Sequence, residues 1–117
     1  KLSIASNKPA VFSRQLLAGF GLEELFAFVG GPDLGFAEKP DPSMVIAALE
    51  AMGVPPAGTL FVGDMTVDVA TARAAGLAVA VVPLGSSTRD ELEAERPDWL
   101  LGALVEVLDL FGVAPGA

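Results

Sequence analysis

The sequence predicts an α/β protein built on a parallel sheet with helices on both faces. Three observations carry this prediction. Segments with strand character and segments with helical periodicity alternate four or five times along the 117 residues. The strand segments are continuous apolar runs without polar alternation, which is typical of strands covered on both faces. The connections between these segments are short, as they are in layered α/β domains.

The first half of the chain predicts two strands and two helices. Residues 2–5 form a strand candidate, and an apolar stripe with helical spacing follows it, closed by Gly19 and Gly21. The members of this stripe are Val11, Phe12, Leu16, Leu17 and Phe20. Residues 26–29 predict a second strand. Asp41 and Pro42 suit the N-cap and the first position of a second helix, which ends at Gly53.

The second half repeats the pattern with strands at 59–62 and 77–82 around a helix at 69–75. Thr88 and Glu91 form a capping box that opens a short helix. Residues 98–101 predict an edge strand, 103–111 a final helix and 112–117 a frayed tail. Because the chain opens with Lys1 directly before a strand, we expect it to be cut at its N-terminus.

Composition excludes several kinds of chemistry. Apolar residues make up 52% of the chain, enough for a packed core. The 117 residues contain no Cys and no His, so they offer no thiolate, imidazole base, disulfide or ordinary zinc site. A formal net charge of −8 disfavours nucleic acids and anionic membranes as partners. Without a membrane span or secretory signal in the sequence, we expect a cytoplasmic protein.

Polar residues follow the predicted strands at the sheet edge where ligands bind in parallel α/β folds. Ser6 follows the first strand, Asp64 follows the third, and Lys39 precedes a helix. A hydroxyl, the amides of Asn7 and Lys8, an ammonium and a carboxylate together suit a phosphoryl group and Mg²⁺. Taken singly, each has an ordinary structural interpretation: Ser6 and Asp64 as helix caps, Lys39 as a solvated charge.

Three motifs in order resemble the second, third and fourth motifs of the haloacid dehalogenase superfamily, and within it the phosphoglycolate phosphatase branch. They are Leu2 to Pro9, Lys39-Pro40-Asp41-Pro42, and Val62 to Asp68 followed by Ala74-Ala75-Gly76. The resemblance implies a three-layer, Rossmann-like core over residues 1–111 and hydrolysis of a small phosphorylated metabolite with Mg²⁺.

The resemblance also implies a role for each residue. Ser6 would bind the phosphoryl group with Asn7, whose side chain faces the substrate, and Lys39 would neutralise the phosphoryl group and the nucleophile. Asp64 would ligate Mg²⁺, with Asp68 supporting the metal directly or through water. Lys8 has no more than an outer role.

The family's nucleophilic motif, Asp-x-Asp-x-Thr, does not occur in these 117 residues, and neither does its cap domain. The resemblance therefore implies the C-terminal half of a phosphatase, inactive alone, whose sheet has a central gap. A missing N-terminal segment or a partner chain would fill that gap.

Other interpretations stay open at this point. The chain could be a non-catalytic module that binds phosphate or a partner, or part of a sister phosphatase or phosphomutase. A receiver domain is disfavoured because its acidic pair and lysine come in a different order along the chain.

Overall fold

A computed structural model describes residues 1–112; the predicted tail lies outside the described residues except for Gly112. The strands form two parallel sheets and not one. In the first sheet β1 (Leu2–Ala5) pairs with β2 (Phe26–Gly30). The second sheet has the order β3 (Leu60–Gly63), β4 (Ala78–Val81) and β5 (Trp99–Leu100). The fold is therefore α/β with parallel strands, as predicted.

Within residues 1–112, four α-helices lie between strands: α1 (Ala10–Gly19), α2 (Ser43–Met52), α3 (Thr66–Ala75) and α4 (Arg89–Ala94). A further short helix, α5 (Val107–Leu110), follows β5. The capping box of α4 is present, with Thr88 and Glu91 each accepting the other's amide. The predicted helix at 103–111 is divided into a 3₁₀ turn and the short α5. Among residues 1–112, no helix has the length and apolarity to cross a bilayer.

The start of α2 differs by one residue from the prediction. Pro42 occupies the N-cap position rather than the first helical position, and α2 begins at Ser43. Asp41 still serves the helix start, because its carboxylate accepts the Ser43 amide at 2.9 Å. The predicted helix at 69–75 in turn begins earlier, at Thr66, because the Asp68 side chain satisfies amides at its start.

Helix α2 joins the two sheets through the main core. Val45 and Leu49 of α2 pack with Val69 of α3 and with Val79 of β4, and Ala5 of β1 packs against the same cluster. Residues 79–81 of β4 have no exposed surface, which confirms the prediction of a strand covered on both faces.

A second, smaller core lies on the other face of the first sheet. Ala10 and Leu17 of α1 pack with Val29 of β2, and Ile4 of β1 contacts this cluster. Ile4 and the next residue, Ala5, contact different clusters, as expected of adjacent strand residues that point to opposite faces. Helices α1 and α2 therefore cover opposite faces of the first sheet.

The apolar stripe at 11–20 lies on a helix, as its spacing predicts, but most of it faces outward. Of its members only Leu17 is buried, whereas Phe12, Leu16 and Phe20 are 55%, 59% and 77% exposed. The buried face of α1 consists of Ala10, Ser13 and Leu17. Helix α1 therefore has two apolar sides, and small residues let one of them approach the sheet closely.

The start of α1 is anchored by a residue from another element. Pro9 offers no capping side chain, and the Asp33 carboxylate accepts the amides of Ala10 at 2.6 Å and Val11 at 3.3 Å. Gly31 makes this contact possible, since a β-carbon there would lie 2.6 Å from the Lys8 carbonyl oxygen and collide with the Ala10 nitrogen. No local pattern in the sequence predicts these contacts of Asp33 and Gly31.

We expect Gly31→Ala to lower the free energy of unfolding of the full natural chain by about 1–3 kcal/mol, because the added methyl group meets rigid backbone. Gly19→Ala is the matched control. Nothing lies within 4 Å of the place that its added methyl group would take, and Ala is the better helix former, so this variant should be at least as stable as wild type. Chemical denaturation measures both, and equal stability of the two variants would contradict the expectation.

Stability should also depend on the ionisation of Asp33. The Ala10 amide, the largest cause, together with the Val11 amide holds the pKa of Asp33 below its ordinary value of 3.8. The stabilisation is therefore complete above pH 3.8 and is lost as the pH falls through the lower pKa of the folded state. Wild type should exceed Asp33→Asn in stability at pH 7, and the difference should shrink below pH 3.8. A difference that stays constant down to about pH 3 in urea denaturation would contradict this.

Candidate functional site

Three loops meet where β1 and β3 end. Asn7, next to Ser6, bonds to the backbone of Lys39. The Lys39 ammonium bonds to Asp68, and the Asp68 carboxylate accepts the backbone amide of Asp64. A continuous set of contacts thus connects the loop after β1 with the loop after β3, across the division between the two sheets.

Lys39 and Asp68 form a buried ion pair. Lys39 Nζ lies 2.7 Å from Asp68 Oδ1, and the side chains are 12% and 5% exposed. The ammonium also lies 5.7 Å from the centre of the Phe61 ring, within the range of a cation–π interaction. Removal of one partner of such a pair typically costs about 3–5 kcal/mol, because it leaves an uncompensated buried charge.

Both carboxylate oxygens of Asp68 are already bonded to protein groups. Oδ1 accepts from Lys39, and Oδ2 accepts the amides of Asp64 at 3.0 Å and Met65 at 3.1 Å. The bonds to Oδ2 satisfy two of the amides at the start of α3. These three bonds use most of the acceptor capacity of the carboxylate, so the arrangement favours a supporting function for Asp68 over direct coordination of a metal.

Gly63 is required by the position of Asp68. A β-carbon on residue 63 would collide with the Asp68 carboxylate, which Lys39 and two amides hold in place. The close approach of Asp68 therefore explains why a glycine precedes Asp64 in the sequence.

The Asp64 carboxylate accepts no hydrogen bond from any group within residues 1–112 and is partly buried. It lies against Gly85 in the loop after β4, where a β-carbon would collide with it. Ser87 connects this loop to the start of α3, because its hydroxyl oxygen accepts the Thr66 amide at 3.1 Å. The sequence did not predict these contacts of Gly85 and Ser87, because no local pattern distinguishes the two from ordinary loop residues.

The loop after β1 presents a hydroxyl. Ser6 Oγ accepts the Lys8 amide at 3.1 Å, and the Ser6 hydroxyl hydrogen remains a donor for a ligand. The Asn7 carboxamide does not face a substrate as expected, because both of its polar atoms bond to the Lys39 backbone. The Lys8 side chain is exposed to solvent.

The carboxylates that follow β3 offer oxygen ligands of the kind that Mg²⁺ prefers. Within residues 1–112 no three acidic side chains cluster as a metal site, and of the two aspartates that follow β3 it is Asp64 whose carboxylate has no hydrogen-bond partner in that range. Mg²⁺ commonly takes one or two protein carboxylates and completes its shell with water and phosphate oxygens. The Asp64 carboxylate therefore fits as one ligand of a magnesium site.

Comparisons with known proteins show the family of this chain. The family model of haloacid dehalogenase-like hydrolases matches residues 1–82. A phosphoglycolate phosphatase of Pectobacterium atrosepticum is 32% identical over 111 residues, covering 95% of this chain and 47% of the relative. That of Rhodospirillum rubrum is 42% identical over 87 residues, covering 74% and 36%.

Solved structures have the same fold. The crystal structure of a predicted phosphoglycolate phosphatase from Haemophilus somnus superposes with a TM-score of 0.84 at 28% identity, covering 94% of this chain and 49% of that one. The chain spans about half the length, or less, of these relatives. With the family match extending over most of its length, the chain belongs to the haloacid dehalogenase-like hydrolase family.

Proposed function

We propose that the protein containing this chain is a Mg²⁺-dependent phosphatase of the cytoplasm that hydrolyses a small phosphomonoester. Phosphoglycolate is the leading substrate, because relatives over most of this chain are phosphoglycolate phosphatases. The observation that carries the proposal is the set of contacts joining the Ser6 loop, Lys39 and the Asp64 loop at the ends of two strands.

Each group has a task suited to its surroundings. The Ser6 hydroxyl donates a hydrogen bond to one phosphoryl oxygen, and nearby backbone amides can take another. Lys39 supplies a fixed positive charge that offsets the negative charge gathered on the phosphoryl oxygens in the transition state. Asp64 holds Mg²⁺, whose chemistry is to polarise the phosphoryl group. Asp68 keeps Lys39 and the Asp64 backbone in position.

The nucleophile in this proposal is an aspartate outside these 117 residues. Its carboxylate attacks phosphorus and forms an aspartyl-phosphate as the P–O bond to the substrate breaks, and the substrate leaves as its alcohol. Water then hydrolyses the aspartyl-phosphate and releases inorganic phosphate. A non-catalytic phosphate-binding module is the alternative. Assays of the full natural chain for release of inorganic phosphate from phosphoglycolate distinguish the two functions.

A groove between the two sheets supports the placement of that aspartate. The groove has a volume of about 620 Å³ and is bounded by β1 and by β3. Val45 and Leu49 of α2 and Val107 of α5 also line it, so it is mostly apolar. Within residues 1–112, β1 and β3 are each paired on one side only. We propose that a parallel strand from another segment or chain fills this groove and delivers the nucleophile beside Ser6 and Asp64.

The isolated 117-residue polypeptide should therefore be unstable. Strand-edge amides and carbonyls left unsatisfied in an apolar groove cost about 1–3 kcal/mol each. We expect self-association or melting without a cooperative transition, and no phosphatase activity. The full natural chain should melt cooperatively. Circular dichroism and analytical ultracentrifugation test this, and monomeric, cooperative folding of the isolated polypeptide would contradict it.

Substitution of the proposed site residues should reduce activity in different ways. In the full natural chain, Lys39→Ala should lower kcat by about 10²–10³-fold, because it removes a fixed charge from the transition state. Asp64→Asn should raise the Mg²⁺ concentration for half-maximal activity by about tenfold or more. Thermal melts check that each variant folds, because Lys39→Ala also leaves Asp68 without its ion-pair partner.

Arg14→Ala and Asp90→Asn are the matched controls, because both residues are exposed and lie on α1 and α4 and not in the loops of the site. Their kinetics should equal those of wild type. Near-normal turnover of Lys39→Ala together with an unchanged Mg²⁺ requirement of Asp64→Asn would show that the site is misassigned.

A further inference from the structure

One side chain binds both backbone polar groups of Lys39. Asn7 Oδ1 accepts the Lys39 amide at 2.7 Å, and Asn7 Nδ2 donates to the Lys39 carbonyl oxygen at 3.3 Å. The carboxamide thus pairs with Lys39 much as a peptide group does in a sheet, and it joins residues 32 positions apart in sequence. Asn7 is partly buried and is the single Asn among the 117 residues.

Lys39 is consequently held from two sides. Its backbone is fixed by Asn7, which directly follows Ser6 at the end of β1. Its ammonium is fixed by Asp68 of α3, which follows β3. Without the Asn7 bonds, Lys39 would keep its ion pair but lose its direct connection to the Ser6 loop.

We infer that Asn7 is a positioning residue that sets the separation between the Ser6 hydroxyl and the Lys39 ammonium, and through it the affinity for a phosphoryl group. This inference rests on the proposed function, in which Ser6 and Lys39 bind the same phosphoryl group. Asn7 itself does not contact the phosphoryl group through its side chain, because both polar atoms of that side chain are bonded to Lys39.

The requirement is for a donor and an acceptor in one rigid, short side chain. Asp has the same shape and keeps the acceptor for the Lys39 amide, but it places a second oxygen against the Lys39 carbonyl. It also adds a negative charge beside a site for an anion. Ala removes both bonds without adding charge. Asn7→Asp should therefore be more harmful than Asn7→Ala, although it is the closer match in shape.

The test compares wild type, Asn7→Ala, Asn7→Asp and Gln15→Ala in the full natural chain. Gln15 is the matched control, an exposed carboxamide on α1 with no hydrogen bond to the described residues of the site. The probe is inorganic phosphate, whose competitive inhibition constant is measured with Mg²⁺ and p-nitrophenyl phosphate. Hydrogen exchange of the Lys39 backbone amide by NMR reports on the contact itself, independently of activity.

We expect Asn7→Ala to raise the inhibition constant of phosphate about tenfold, because Ser6 and Lys39 are no longer held at one separation, and Asn7→Asp to raise it further. The Lys39 amide should exchange faster in both variants. Gln15→Ala should match wild type in both measurements, and the Mg²⁺ concentration for half-maximal activity should stay unchanged in Asn7→Ala. A loss of Mg²⁺ affinity along with phosphate affinity would indicate general disruption and overturn the inference.

Two other results would also overturn it. Unchanged phosphate inhibition with faster Lys39 exchange would show a contact that holds the loop without setting the site. Unchanged Lys39 exchange would show that Asn7 does not hold Lys39 at all.

If wild type neither hydrolyses p-nitrophenyl phosphate nor binds phosphate, the proposed function fails and the inference fails with it. If wild type is active and the Asn7 variants match it, the inference alone fails.

Discussion

The ion pair between Lys39 and Asp68 is the interaction on which the arrangement of the site depends. Lys39 comes from the connection between β2 and α2, whereas Asp68 lies in the first turn of α3, after β3. Placing two charges in a protein interior is costly unless hydrogen bonds complete their shells. Asp68 meets this condition, because its second oxygen accepts two backbone amides. The pair therefore fixes the loop after β3 as well as the lysine.

Close approach of backbone and carboxylate recurs around this pair. Asp68 lies against Gly63 and Asp64 lies against Gly85, so that neither glycine has room for a side chain. At the same end of the first sheet, Gly31 directly follows β2 and similarly admits the start of α1 and the Asp33 carboxylate. In each case a carboxylate takes a defined position because the facing residue lacks a β-carbon.

Local signals in the sequence predicted those features that local chemistry determines. The capping box of Thr88 and Glu91 acts within one helical turn, and the buried strand β4 follows from an unbroken apolar run. The meeting of the Ser6 loop with Lys39 and Asp64 followed from a rule about parallel strands together with the motif resemblance. These predictions needed no knowledge of which distant residues touch.

Features that depend on distant contacts could not be read from the sequence. Helical spacing identified an apolar side of α1, but it could not tell which of two sides faces the sheet. The hydrogen bond from the Lys39 amide to Asn7 joins residues 32 positions apart, and the one from the Ala10 amide to Asp33 joins residues 23 positions apart. Position within a motif placed Asn7 beside the ligand, whereas geometry directs its side chain to the neighbouring loop.

The division of the strands into two sheets also divides the site along the chain. Ser6, Asn7 and Lys39 all precede the connector at residues 53–59 between α2 and β3, and Asp64, Asp68 and Gly85 all follow it. Under the proposed function, the groups that bind the anion thus lie in one stretch of the chain, and the groups that bind the cation lie in the next. In a saturating mutational scan, substitutions before this connector would consequently weaken mainly phosphate binding, and those after it would weaken mainly Mg²⁺ binding. Only Lys39 and Asp68, which contact each other, would affect both.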